Sequence, residues 1–440
     1  MAQVVVVGAG LGGLPTAYEL RHLLPHQDHQ ITLISDKDQF TFTPGLISVM
    51  FGHKKMADVQ LELDRIVPPK GIEFVNGKAT GLDPHKQQIT AGDRTLHYDY
   101  LVIATGPQLA TDAIPGLGPE TGYTHSVCNP HHVELASEAW KAFLENPGPV
   151  IVGAAPGAGC YGPLYEFMLT VDHELRQRQL RDQVPLTIVT PEPYVGHLGV
   201  RGVKNADKII LQLLKEKNIA FIENAQITRI EPETMILANG QQLPFKFSMI
   251  LPAFYGAKFL REAPGLTDAK GFVPMLPTQQ HPDFPNIYSL GVATQLAQPD
   301  STLVPMGLPK SGEMTEGMGM AVAHNIARDL GLLKSAPIKA TLGAVCFAEF
   351  GRDGIVFMAN PVLPNPATGR PDHSFTLRGP WVPLVKQAFE IYYMAKMRLG
   401  LAVPWFERLG LKLLLGLSLV KPTVPSTAVQ TSEKTAVVSR

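Results

Sequence analysis

The chain has 440 residues, 45% of them apolar, with 38 Lys and Arg set against 39 Asp and Glu. That length supports two or three domains with sizeable cores, and the balanced charge leaves no cationic surplus for a nucleic-acid partner. Cys128, Cys160 and Cys346 are its only cysteines, too scattered for a C-x-x-C zinc site and too few for a disulfide scaffold.

Residues 4–7 (VVVV) predict a buried strand that begins almost at Met1, with no room for the basic and apolar regions of a signal peptide. Gly8-Ala9-Gly10-Leu11-Gly12-Gly13 and a helix over 15–23 follow, placing G-x-G-x-x-G in its strand–turn–helix setting. Gly8 permits the tight turn, Gly10 lets the backbone approach a pyrophosphate, and Gly13 lets helix and strand pack closely. The next strand, 31–34, should end in an acid for the ribose hydroxyls. Ser35 stands there instead, with Asp36 after it.

A third strand over 98–104 closes on Ala104-Thr105-Gly106, and a related one over 287–291 lies far downstream, so the first domain is expected to be discontinuous. Between them, a strand over 149–153 runs into a second glycine-rich turn, 153–159, directly followed by Cys160, with a further strand over 186–190. Two Rossmann-like units are therefore nested in one chain.

Beyond residue 340, Val382, Val385, Phe389, Tyr392 and Tyr393 recur at helical spacing, and 404–420 is apolar on most sides, with Arg408 and Lys412 one turn apart. Neither stretch provides the roughly 20 uninterrupted apolar residues of a bilayer crossing. An interfacial hairpin fits better. The Ser-, Thr-, Pro- and Lys-rich segment 421–440 is expected to be a disordered tail.

These pieces resemble the sulfide:quinone oxidoreductases, two-dinucleotide-binding-domain flavoproteins, along nearly the whole chain. The first glycine motif and Ala104-Thr105-Gly106 belong to the wider superfamily. Narrower are Ser126-Val127-Cys128 with His132, the run from Gly159 to Phe167 around Cys160, Pro309-Lys310-Ser311-Gly312 with Glu316, and Cys346-Phe347. Gly291-Val292 replaces the superfamily's Gly-Asp, a change this family tends to share.

The resemblance implies an α/β fold: two Rossmann-like FAD/NAD(P)-type domains and a C-terminal amphipathic membrane-binding helical region. The expected division is 1–112 with 280–340 for FAD, 113–279 for the second unit, and 341–420 for quinone and membrane. It implies FAD held by Gly8, Gly10, Gly13, Ser35, Asp36, Pro44, Thr105, Gly106, Gly291, Val292 and Lys310. Sulfide would be oxidised to polysulfide or elemental sulfur at a redox pair, Cys160 with Cys346, joined directly or through extra sulfur atoms. A helix N-terminus at Cys160 is expected to favour its thiolate.

Cys128 is implied as an assisting sulfur, Glu166, His132 and His197 as proton carriers, and Lys310 as a charge near the flavin or quinone. Phe347, Phe389 and Tyr392 are expected to sandwich the quinone ring, and the C-terminal helices to rest on lipid as a peripheral attachment. The assembly is expected to be a homo-oligomer. Two alternatives remain open from sequence: a type-II NADH:quinone oxidoreductase, and the flavoprotein subunit of a cytochrome-linked sulfide dehydrogenase.

Overall fold

A computed structural model describes residues 1–296, 298 and 301–423. The apolar strand Ala2–Val7 lies at the centre of a five-stranded parallel sheet. On one side it pairs with His29–Ser35 and then Glu73–Asn76. On the other it pairs with Tyr100–Ile103 and then Ile287–Ser289, so a strand from late in the chain completes the first sheet. The helix Gly13–Leu23 covers one face, burying Leu14, Ala17 and Leu20 against Gly312–Asp329. Near-continuous Val and Ile runs are the expected reading of strands covered on both faces.

The second unit repeats this plan with four parallel strands in the order Ala220–Ile222, Leu186–Val189, Val150–Ala154 and Phe247–Leu251. The helix Gly162–Gln177 packs on it and buries Tyr165, Phe167, Met168 and Val171. Three-stranded antiparallel meanders, one from Ala79–Asp83 to Arg94–His97 and one from Ile227–Glu231 to Gln242–Pro244, hang from the two units.

The C-terminal region carries the expected helices and adds a sheet before them. Ala344–Phe350, Asp353–Asn360 and His373–Arg378 form an antiparallel sheet, and Cys346 sits on its first strand. The helix Val382–Leu399 then packs on that sheet. The last helix is shorter than the apolar stretch 404–420: it runs Trp405–Leu415 and stops at Gly416, which is left-handed (φ 63°). Leu417 and Leu419 return to the core, and Val420–Pro422 pairs antiparallel with Ile338–Ala340. Of the tail expected to be disordered, 421–423 belongs to or follows this pairing, and 424–440 lies outside the described residues.

Candidate active site

A cavity of about 1750 Å³ runs from the first glycine turn, past all three cysteines, to the helix Val382–Leu399. It is larger than the roughly 300–1,000 Å³ that one small ligand needs. Gly8 adopts φ +104°, and a Cβ there would collide with the Ala104 carbonyl. At Gly10 a Cβ would meet nothing within 4 Å, so this backbone lies open to the cavity at the start of the helix. Gly13 does not line the cavity; it packs beneath the turn, where a Cβ would strike the Gly8 carbonyl. This open, positively polarised turn is a cradle for a pyrophosphate, and the cavity volume leaves room for a dinucleotide with a second ligand beyond it.

Ser35, Asp36, Pro44, Thr105, Gly106, Gly291 and Val292 all line the same cavity. The Ser35 hydroxyl accepts from the Lys37 amide at 3.1 Å, capping the turn in which Asp36 stays exposed. Lys310 is no surface lysine. Its Nζ donates to the carbonyls of Thr294 (2.6 Å) and Val292 (3.2 Å) and lies 5.2 Å from the centre of the Phe272 ring. Burial lowers it to about 8.

The second glycine turn is closed. The Gly157 amide donates to the Pro305 carbonyl at 2.6 Å, and the Gly307 amide donates to the Ala158 carbonyl at 2.8 Å. Segment 305–307 thus occupies one amide donor of the turn, that of Gly157, and one carbonyl acceptor, that of Ala158. The close approach needs Gly307, where a Cβ would stand 2.8 Å from Gly159 Cα. Tyr161 is fully buried behind the turn.

Cys160, Cys346 and Cys128 line this closed end as free thiols. Gly162 lets the strand sulfur in: a Cβ there would lie 2.5 Å from Cys346 Sγ, only two residues past Cys160. The expectation of a favoured Cys160 thiolate is corrected. The helix begins at Gly162, and the stabilising contact from that residue's amide is outweighed by burial and then by the Cys128 charge, which push Cys160 up to about 12. Burial pushes Cys128 up to about 11 and also pushes Cys346 well above the ordinary thiol value.

Around the sulfurs stand groups that can hold protons. Glu166 is buried and ion-paired to Lys386, whose Nζ also lies 3.3 Å from Glu349. Burial raises Glu166 to about 7 against the pull of Lys386. His132 is buried between the Ser126 hydroxyl (2.5 Å at Nδ1) and the Glu120 carboxylate (2.5 Å at Nε2). His197 is elsewhere: it is buried with its ring against Tyr194, in a loop fixed by Glu192 and Tyr165, and does not line the cavity.

At the far end Phe347 and Phe389 face the cavity, and so does Tyr393. Tyr392 does not. Its hydroxyl donates to Glu407 at 2.6 Å, and its ring meets Phe406, between the last two helices. Tyr393 packs on Phe42 (5.4 Å) and Phe389 (5.7 Å) in its place. Behind it the fully buried Lys396 joins Glu316 on the cavity wall (2.6 Å) to Glu407 of the last helix (2.9 Å).

Sequence reasoning gave no role to Lys386, Lys396, Glu349 or Glu407. The available signal was helical phase: Lys386, Glu390, Tyr393 and Met397 fall on one face of Val382–Leu399, so polar groups there are buried with the aromatics.

Residues 2–304 match the family model described as pyridine nucleotide-disulphide oxidoreductase. The sulfide-quinone reductase of Aquifex aeolicus is 39% identical over 94% of this chain and 95% of its own. The mitochondrial sulfide:quinone oxidoreductase of Dictyostelium discoideum is 24% identical over 80% of this chain and 78% of its own. The X-ray structure of the Aquifex aeolicus sulfide:quinone oxidoreductase superposes with a TM-score of 0.92 at 37% identity, covering 98% of this chain and all of that one. An NDH2 structure from Plasmodium falciparum, at 12% identity and TM-score 0.67 over 94% of this chain and 98% of that one, shares the fold alone. With three cysteines converging on the end of a dinucleotide cavity whose second glycine turn is closed, the chain belongs to the sulfide:quinone oxidoreductases.

Proposed function

We propose that this enzyme, an FAD-dependent sulfide:quinone oxidoreductase, carries out sulfide chemistry at Cys160 and Cys346 and receives the quinone between Phe347, Phe389 and Tyr393. The observation behind this reading is the placement of the Cys346 sulfur against Gly162, beside Cys160, on the cavity that begins at the open first turn. Gly8, Gly10, Ser35, Asp36, Pro44, Thr105, Gly106, Gly291, Val292 and Lys310 would hold FAD, with Gly13 supporting the turn from beneath. When bound, FAD supplies the acceptor for the two electrons that sulfide gives up and passes on to quinone.

In the oxidised enzyme the two sulfurs form a bridge, directly or through added sulfur. For a direct bridge, HS⁻ bonds to the Cys160 sulfur while the bond to the Cys346 sulfur breaks. Cys160 becomes a persulfide and Cys346 leaves as a thiolate, so sulfur and charge balance. Burial opposes free thiolate at either cysteine, so a nearby base and cation matter. Glu166 is the base for H₂S, and Lys386 balances negative charge as it forms. Lys310 steadies negative charge at the cofactor end.

The division proposed is 1–112 with 280–340 for FAD, 113–279 for the second unit and 341–420 for quinone and membrane, the last segment including the antiparallel sheet that carries Cys346. We also place the last two helices on lipid. No helix among the described residues is long and apolar enough to cross a membrane, but Leu384, Ile391, Trp405, Leu413 and Leu414 are exposed. Burying such side chains is worth about 1.5–3 kcal/mol each, enough together for peripheral attachment.

Mass analysis of the Cys160 peptide tests the sulfur chemistry. Oxidised enzyme given one equivalent of sulfide anaerobically should carry one added sulfur on Cys160. Exclusive addition at Cys128 would overturn the assignment.

A further inference from the structure

Sulfide reaches the cysteines carrying protons, and its oxidation leaves them in a cavity wall where all three cysteines are half-buried. Burial pushes even Cys128 up to about 11, so protons need a carrier to water. Glu166 and Lys386 form a closed pair, each at most 6% exposed at the side chain. The chain through Ser126 leads outward instead. Ser126 is buried two residues before Cys128, and its hydroxyl favours the Cys128 thiolate. The same hydroxyl is 2.5 Å from His132 Nδ1, and His132 Nε2 is 2.5 Å from Glu120, whose side chain is 46% exposed.

The imidazole is held by its own fold. Asn129 caps the helix Pro130–Glu145 by accepting from the His132 amide, which fixes the ring at the first turn. The other titratable groups facing the ring are His131 on the same helix, 6.3 Å away between ring centres, and His125 before the helix. Burial, and then the His132 charge, hold His125 down to about 4, so it stays neutral.

Resting on the functional reading above, we infer that Ser126, His132 and Glu120 form the proton exit of the sulfide side, with Ser126 and Glu120 as working members and Cys128 at the inner end. A proton on the Cys128 sulfur, or on sulfide beside it, passes to Ser126 Oγ as the hydroxyl proton moves to His132 Nδ1. Thiolate and imidazolium result, and nothing is oxidised. The imidazolium then gives its Nε2 proton to the Glu120 carboxylate, which releases it to water. Glu120 also orients the ring, because Nε2–H donating to a carboxylate leaves Nδ1 free to accept.

The test uses FAD-loaded enzyme in anaerobic stopped flow on the acid side of neutrality, following flavin absorbance and a pH-indicator dye together. Wild type is compared with Glu120→Gln, which removes no buried packing, and with Ser126→Ala. The relay predicts that both variants retain flavin but bleach with sulfide at least about tenfold more slowly. Dye-reported proton release should lag to match, and added formate should speed Glu120→Gln. Reoxidation of dithionite-reduced variants by a soluble quinone should keep its wild-type rate. Unchanged sulfide bleaching in both variants would overturn the relay, as would equal slowing of the two half-reactions. Failure of sulfide to bleach the wild type would instead remove the functional reading beneath it.

Discussion

The two glycine-rich turns start from similar sequence and end in opposite states. Each follows a buried parallel strand and precedes a helix. At the first, Gly10 lies open on a cavity. At the second, the Pro305 carbonyl takes the Gly157 amide and Gly307 approaches Gly159 too closely for any side chain. The same local geometry can therefore seat a ligand or seat a piece of its own chain. The second turn, relieved of phosphate binding, instead presents Cys160 to the end of the first turn's cavity. It also removes the ground for the type-II NADH:quinone oxidoreductase alternative, which needs that turn open.

Substitutions that break one turn at a time should separate the two roles. The largest effect is expected from Gly8→Val, because a side chain at φ +104° is strained and collides with Ala104. The purified variant should carry no flavin by absorbance. Cys160→Ala, at the second turn, should retain a full complement of flavin yet show no bleaching by sulfide.

Glu166→Gln should have an intermediate effect. Burial places Glu166 at about 7, and the carboxylate is the form that accepts a proton. The rate of sulfide bleaching in wild type should therefore rise as pH increases through about 7 and then level. The variant should lose that limb and run at least about tenfold slower above it, as measured by stopped flow across pH. The smallest effect is expected from NADH. With the second turn filled, millimolar NADH should leave flavin absorbance unchanged under anaerobic conditions and shift the melting temperature by less than about 1 °C, since a ligand that does not bind the native state does not stabilise it.

Much of this contrast was legible in the sequence. The parallel strands are short apolar runs, and the spacing around Gly8, Gly10 and Gly13 carries its own stereochemical reason. The closure of the second turn was only partly legible: bulky Tyr161 signalled crowding, but the segment 305–307 that fills the turn is about 150 residues away in sequence. Cys346 was legible as a partner by resemblance alone, because the meander that carries it offers no strong alternation.

The choice between Tyr392 and Tyr393 lay beyond periodicity. Adjacent helical positions differ by about 100°, and which one faces the cavity is set by Phe40 and Phe42 from the first domain. Lys386 and Lys396 took no role from the sequence because their carboxylate partners lie 220 and 80 residues away along the chain. His197 was implied as a proton carrier by resemblance, and a histidine in a glycine loop carries no mark of which way it points.

The central claim is that sulfide delivers its electrons through Cys160 and Cys346 to the cofactor at the first turn and onward to quinone. The most direct measurement is anaerobic: sulfide is added to the flavin-loaded wild type, Cys160→Ala and Cys346→Ala enzymes, followed by a soluble quinone. The account predicts that sulfide bleaches the wild type, quinone restores its absorbance, and both variants stay yellow. Bleaching of either variant by sulfide at the wild-type rate would contradict it, as would bleaching of the wild type by NADH and not by sulfide.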